Sequence, residues 1–263
     1  VENQIEEQRG KDGFLFLDKV SNEDKFKKIA IILKYLEQIN DDAINKENIN
    51  HYFYDTYTEE GDNSKFCSKR GSIGNRRFFS PANGKRLDTI MNKIREWYQM
   101  NVLTDLQYSL LISVVCESVE KISNTQGTYH DFQREGYDAR ALNPLTLRWP
   151  AFDAIIGTNN SHIIGKCQDS LTFIEEVPEH SLMYVDPPYN FRQYTSYYFM
   201  LNLLSSYCEI DDLAEYFSKI KFVRGQNMED DFDSTFCKSN LFIPSLTELI
   251  KKYHLAELKY VEG

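Results

Sequence analysis

An aspartate, two prolines and a tyrosine, Asp186-Pro187-Pro188-Tyr189, follow directly on the apolar run 181–185, SLMYV. By average residue usage that tetrapeptide arises about once in a thousand chains of this length, so chance explains it poorly. Its residue types suit one task. An exocyclic amine on a nucleobase is a weak nucleophile because its lone pair is conjugated into the ring. Two acceptors aimed at its N–H bonds favour the pyramidal form, in which the lone pair is available. Asp186 offers a carboxylate oxygen for this and Pro187 a main-chain carbonyl. The two pyrrolidine rings restrict the backbone and hold Asp186 extended, so the acceptors are set before a substrate arrives. Tyr189 offers a flat face for a base. A base inside a duplex cannot reach such a site and must be rotated out of the stack. A sulfonium methyl donor would suit the same acidic surroundings. The bland alternative is a rigid turn after a strand.

The elements around this motif alternate. SLMYV reads as a strand buried in a parallel sheet, and open α/β sheets bind ligands at the C-terminal ends of such strands. Residues 163–167 read as another short strand, 169–177 as a short helix and 197–207 as a helix. Strand, helix, strand, polar turn and helix form the rhythm of an α/β fold. Upstream, apolar residues at three- and four-residue spacing predict helices over 24–40, 83–100 and 104–123. Thr104 is placed to cap the last, with Asp105 in its first turn. Residues 14–17 could be a strand, 51–57 are ambiguous, and the glycine- and serine-bearing stretch 59–81 reads as loop, as does 124–150.

The chain of 263 residues carries 40 acidic and 30 basic side chains, a net charge of −10. Its 41% hydrophobic content describes a globular protein rather than a disordered or fibrous one. No apolar run reaches the roughly 20 residues of a membrane span, and the polar N-terminus is no secretory signal. Against the overall acidity, residues 65–95 hold nine basic side chains and one acid, Asp88, for a net +8. Such a segment predicts a basic face for phosphates, with Arg70, Arg76 and Arg77 also able to reach guanine edges. Lys93 and Arg95 read as ordinary helix-surface charges. Five dispersed cysteines without a CxxC pair, and five dispersed histidines, predict reduced thiols in a cytoplasmic protein and no metal site.

Asp-Pro-Pro-Tyr is similar to the catalytic signature of S-adenosylmethionine-dependent amino-group DNA methyltransferases, above all the Dam-like adenine-N6 enzymes and type II restriction–modification methylases. The longer string DPPYNFRQYTSYYFMLNLL resembles a subgroup that continues the motif in this way. NRRFFSPANGKRLDTIMNKIREW (75–97) and ISNTQGTYHDF (122–132) resemble the same subgroup. The resemblance implies an α/β fold with a Rossmann-like methyltransferase sheet, complete or truncated, and a mainly helical DNA-recognition insertion. On that plan 1–58 begin the catalytic domain, 59–150 recognise the DNA target and 151–263 form the catalytic half. It implies S-adenosylmethionine as donor, no metal, and a flipped adenine in double-stranded DNA as substrate. Asp186, Pro187, Pro188 and Tyr189 would be catalytic. Asp169 and Ser170, with Asp186, would hold the donor. Lys69, Arg70, Arg76, Arg77, Lys85, Arg86, Arg192 and Tyr194 would contact DNA. The family's FxGxG donor loop is not evident; Gly71, Gly74, Gly157 and Gly165 are poorly placed for it, and Asp18 is a weak candidate for the acid that holds the ribose. A fragment, a split enzyme with a second methyltransferase subunit, and a non-catalytic DNA-binding module therefore stay open. An RNA adenine methyltransferase is a further alternative, and a cognate restriction nuclease a further partner. The setting implied is the cytoplasm of a prokaryote or a phage-infected cell.

Overall fold

The computed structural model describes residues 22–148, 169–177, 182–188 and 190–261. These form mixed helices and one small sheet, divided between two units: 22–148 with 198–230, and 169–197 with 231–261. Of the described residues, 22–58, 59–148 and 198–230 share one unit.

In the first unit, α1 (Asn22–Gln38) turns Ile29, Leu33 and Leu36 inward, as their spacing predicts. The ambiguous stretch becomes a short helix, α2 (Tyr52–Tyr57). Its own N-cap side chain makes no capping bond. The buried carboxylate of Asp88 does that work instead, accepting from Phe53 N and Tyr54 N at 2.8 Å each. Asp88 lies on α3 (Pro81–Gln99), which opens with Ser80 as N-cap and Pro81 in the first turn. The helix α4 (Asp105–Ile122) carries a capping box. Gln107 N donates to Thr104 Oγ1 at 3.3 Å, and Thr104 N donates to Gln107 Oε1 at 2.7 Å.

Residues 59–81 are not all loop. They contain an antiparallel hairpin of β1 (Lys65–Cys67) and β2 (Ile73–Asn75), in which Phe66 pairs with Gly74. Gly71 takes φ +82° in its turn, a left-handed conformation suited to glycine. Three-residue strands are too short for alternation to show in sequence, and only Phe66 of β1 is buried.

An aromatic core fills the unit. Phe53 meets Tyr207 at 5.3 Å between ring centroids, and Phe78 meets Phe132 at 4.8 Å. The helices α6 (Tyr194–Ser206) and α7 (Leu213–Ser218) contribute Phe199 and Phe217 to it. In the same unit, Tyr57 Oη donates to Gly225 O at 2.9 Å, and burial pushes the phenol's pKa upward.

The second unit holds α5 (Ser170–Phe173), residues 194–197 of α6, and α8 (Phe242–Val261). Ile174, Phe236 and Leu249 form its apolar centre. Lys252 of α8 ties down the C-terminal side of α5, donating to Leu171 O at 3.0 Å and pairing with Glu175 at 2.7 Å. No helix among the described residues is long and apolar enough to cross a membrane.

Candidate functional site

Residues 182–188 run without helical or sheet pairing. Their side chains nevertheless alternate. Met183 and Val185 pack against the centre formed by Ile174, Phe236 and Leu249. Leu182 and Tyr184 are each 85% exposed. This corrects the reading of SLMYV as a strand buried on both faces. Only every second side chain is covered, and no strand among the described residues pairs with it.

The two anchors fix what comes next. With Val185 held, Asp186 emerges exposed and Pro187 and Pro188 half-buried. All three line a cavity of about 570 Å³ within the second unit. That volume suits a ligand of nucleoside size. The cavity's apolar floor includes Phe173, Ile174, Val177 and Met183. Asp169, Ser170, Tyr194, Phe232 and Asp233 stand around it. Asp169 is also the N-cap of α5, accepting from Leu171 N at 2.8 Å. Asp233 pairs with Lys238 at 2.8 Å. Among the described residues Asp186 makes no ion pair.

The donor set fits S-adenosylmethionine. Carboxylates of Asp169 and Asp186 face the same cavity as an apolar floor, the combination a cationic nucleoside requires. Among the described residues no group of three His, Cys, Asp or Glu could hold a metal. Tyr189, Asp18, residues 14–17 and 163–167, Gly157 and Gly165 lie outside the described residues.

The basic segment is not a +8 face. Arg76 is 1% exposed, which corrects its assignment to DNA. Its guanidinium donates to Asn63 O and Phe222 O at 2.8 Å and to Val223 O at 3.3 Å. Arg95 is likewise buried, donating to Tyr207 O and Ile210 O at 2.7 Å each, and so is no surface charge. It closes the carbonyls beyond the C-terminal end of α6. Lys93 reaches Ala43 O at 2.6 Å and Glu96 at 2.9 Å. Arg86 is half-buried and donates to Leu36 O and Ile39 O at the end of α1. Arg77 pairs with Glu59 at 2.6 Å and donates to Arg134 O. Lys65, Lys69, Arg70 and Lys85 remain exposed, the middle two on the hairpin turn, and Lys85 lies 4.6 Å from the Tyr54 ring centre. In the second unit, Arg192 is exposed over the Tyr197 ring, and Tyr194 is exposed at the cavity.

Three features escape the sequence pattern as read above: α8, the capping of α2 by Asp88, and Phe232 at the cavity. The helical spacing of Leu246, Leu249, Ile250 and Tyr253 could have revealed the first.

The family model for the D12 class of N6 adenine-specific DNA methyltransferases matches residues 7–261. The chain is 30% identical over 179 residues to the type II methyltransferase M.FokI of Planomicrobium okeanokoites, covering 67% of this chain and 25% of that protein. It is 35% identical over 128 residues to the modification methylase StsI of Streptococcus sanguinis, covering 49% of this chain and 19% of that protein. It is 28% identical over 192 residues to the type II methyltransferase M.NlaIII of Neisseria lactamica, covering 73% and 52%. The chain thus spans between about a fifth and a half of the length of these relatives. No solved structure matches it.

Proposed function

The chain belongs to the D12 class of N6 adenine-specific DNA methyltransferases, and from that membership we propose that it carries the methyl-accepting site of an enzyme that modifies adenine N6 in DNA. The observation that carries the reading is the run Asp186-Pro187-Pro188, open to a nucleoside-sized cavity behind two half-buried anchors. A Rossmann-like sheet is the fold expected of the family; among the described residues the run itself has no strand partner. The relatives' names place them among type II methyltransferases and modification methylases, which favours a restriction–modification setting.

Asp169, Ser170 and Asp186 would hold S-adenosylmethionine, which when bound supplies an electrophilic methyl group on a sulfonium. The rest falls to the chain's own groups. The Asp186 carboxylate and the Pro187 carbonyl accept from the two N–H bonds of a flipped adenine and free the nitrogen lone pair. Tyr189 is assigned to stack on the base. After transfer the nitrogen loses one proton, and Asp186 is a carboxylate placed to take it. Lys69, Arg70 and Lys85 are assigned to DNA phosphates, with smaller shares for the half-committed Arg77 and Arg86. Arg192 and Tyr194, close in sequence to the motif, are assigned to the flipped nucleotide. Double-stranded DNA is the proposed partner and the cytoplasm the proposed setting.

Asp186→Ala tests this. Methyl incorporation from labelled S-adenosylmethionine into unmethylated genomic DNA should fall about 100- to 1,000-fold, the cost of removing one preorganised charge-stabilising group. DNA affinity by fluorescence anisotropy should stay within about threefold. Turnover at the parent rate overturns the mechanism. Calorimetric titration with the donor separates this reading from a chain that only binds DNA, and matched DNA and RNA oligonucleotides test the polymer.

A further inference from the structure

The cavity has a second wall, which the motif does not supply. Residues 231–234 form it through Phe232, Asp233 and Ser234, and they belong to no helix or strand. Phe232 is 61% exposed while lining the same cavity as Asp186. A large apolar ring left open to water at a cavity rim is unfavourable for the isolated fold and becomes favourable when something stacks on it.

This wall is held by the residues that follow the motif. Gln193 Oε1 accepts from Ser234 N at 2.9 Å. Thr195, buried, donates from Oγ1 to Asp231 Oδ1 at 2.5 Å, with Phe232 O a further 3.4 Å contact. Cys237 Sγ donates to Arg192 O at 3.1 Å. Side-chain bonds therefore bracket Phe232 on both sides, from residues six to nine positions beyond Asp186. One short stretch of chain thus positions both the acceptor carboxylate and the ring that shares its cavity.

We propose that Phe232 is a substrate contact, an aromatic face for the purine delivered to Asp186, and that Gln193 and Thr195 are its positioning residues. The proposal rests on the methyltransferase reading above. Stacking of a base on an aromatic side chain implies a loss of about 10- to 100-fold in productive DNA engagement when the ring is removed. Binding of the donor, assigned to Asp169, Ser170 and Asp186, should not follow it.

The test measures methyl transfer to unmethylated genomic DNA, with kcat and KM for DNA separated, and donor affinity by calorimetry, in the intact protein that carries this chain. Phe232→Leu keeps an apolar side chain without a π face, and Gln193→Leu removes the acceptor of Ser234 N. Both should raise KM for DNA or lower kcat by about tenfold or more, with donor affinity within twofold and an unchanged thermal midpoint. Phe232→Tyr should lose less than Phe232→Leu, and Gln193→Glu, which still accepts from Ser234 N, less than Gln193→Leu. A merely structural brace would instead move the thermal midpoint and donor affinity together, and that result overturns the proposal. Parent-like kcat and KM in Phe232→Leu overturn it too. Absence of transfer by the unaltered protein strikes the methyltransferase reading itself, and this inference falls with it.

Discussion

Replacing Arg76 by alanine takes the donors away from four carbonyls at once, one of them the buried Thr56 O at 3.5 Å. Asn63 O and Phe222 O lose bonds of 2.8 Å, and Val223 O loses one of 3.3 Å. A buried polar group left without its partner costs about 1–3 kcal/mol. Each carbonyl keeps a second lone pair and some access to water, so the lower half of that range applies. Over the three shorter bonds the sum is about 3–6 kcal/mol, before any cost for the space vacated by the alkyl stem. That is a large share of a total stability of about 5–15 kcal/mol. With a urea m-value of about 2–3 kcal/mol/M, the midpoint of unfolding should drop by about 1–3 M. Arg76→Met tests the same point with the stem kept, since the carbonyls still lose their donors. Arg76→Lys should fall between the two, because one ammonium cannot replace a planar fork that reaches several directions. The assay is urea unfolding followed by far-UV circular dichroism, beside DNA affinity by anisotropy over a salt series. Lys69→Ala and Arg70→Ala are the contrast. Both side chains are exposed, so stability should change by less than about 0.5 kcal/mol, while the slope of log affinity against log salt falls by about one for each. If Arg76→Ala keeps the parent urea midpoint and instead weakens DNA binding, the guanidinium faces the nucleic acid and the burial argument is wrong.

Asp88 carries a pH signature: burial pushes its carboxyl pKa up, partly offset by the amides of Phe53 and Tyr54. The folded state then holds more protons than the unfolded one above about pH 4, so this contribution to stability falls as pH rises from there through the folded pKa. Asp88→Asn should be less stable by about 1–2 kcal/mol, since its NH₂ meets a backbone N–H, yet flatter in urea midpoint between pH 4.5 and 8. Parallel pH profiles for the two proteins would contradict this. Gly225→Ala forces φ +82° on a side chain whose Cβ would meet Tyr57 Cε1 at 2.7 Å, and should cost about 2–4 kcal/mol by thermal or urea unfolding. An unchanged midpoint would show that the 225 turn is set differently. Burial pushes the Cys116 thiol up to about 11 and leaves Cys67 exposed. Iodoacetamide at pH 8, read by peptide mass mapping, should label Cys67 at least 100-fold faster than Cys116, whose thiolate fraction is about one in a thousand. Equal rates would show that α4 is open to solvent at that position.

Features written in neighbouring residues are legible in the amino-acid sequence by itself. Thr104 three positions before Gln107 announces the start of α4, and the spacing from Leu87 to Trp97 announces the buried face of α3. Asp169 before an apolar pair announces α5, and the Asp-Pro-Pro step carries its own rigidity wherever it is placed. Caps, helical periods and proline restraints act over four residues or fewer, so one dimension suffices to read them. The fate of the charges is decided elsewhere. Arg76 and Arg77 are adjacent and chemically identical, yet one is sealed inside and the other pairs with Glu59 near the surface. Two of the carbonyls that draw Arg76 inward belong to residues 146 and 147 positions away, as those that hold Arg95 lie 112 and 115 away. The Phe232 wall likewise reaches the cavity through bonds that span 36 to 45 positions. A guanidinium is desolvated only where enough acceptors converge on it, and that convergence exists only once distant segments have packed.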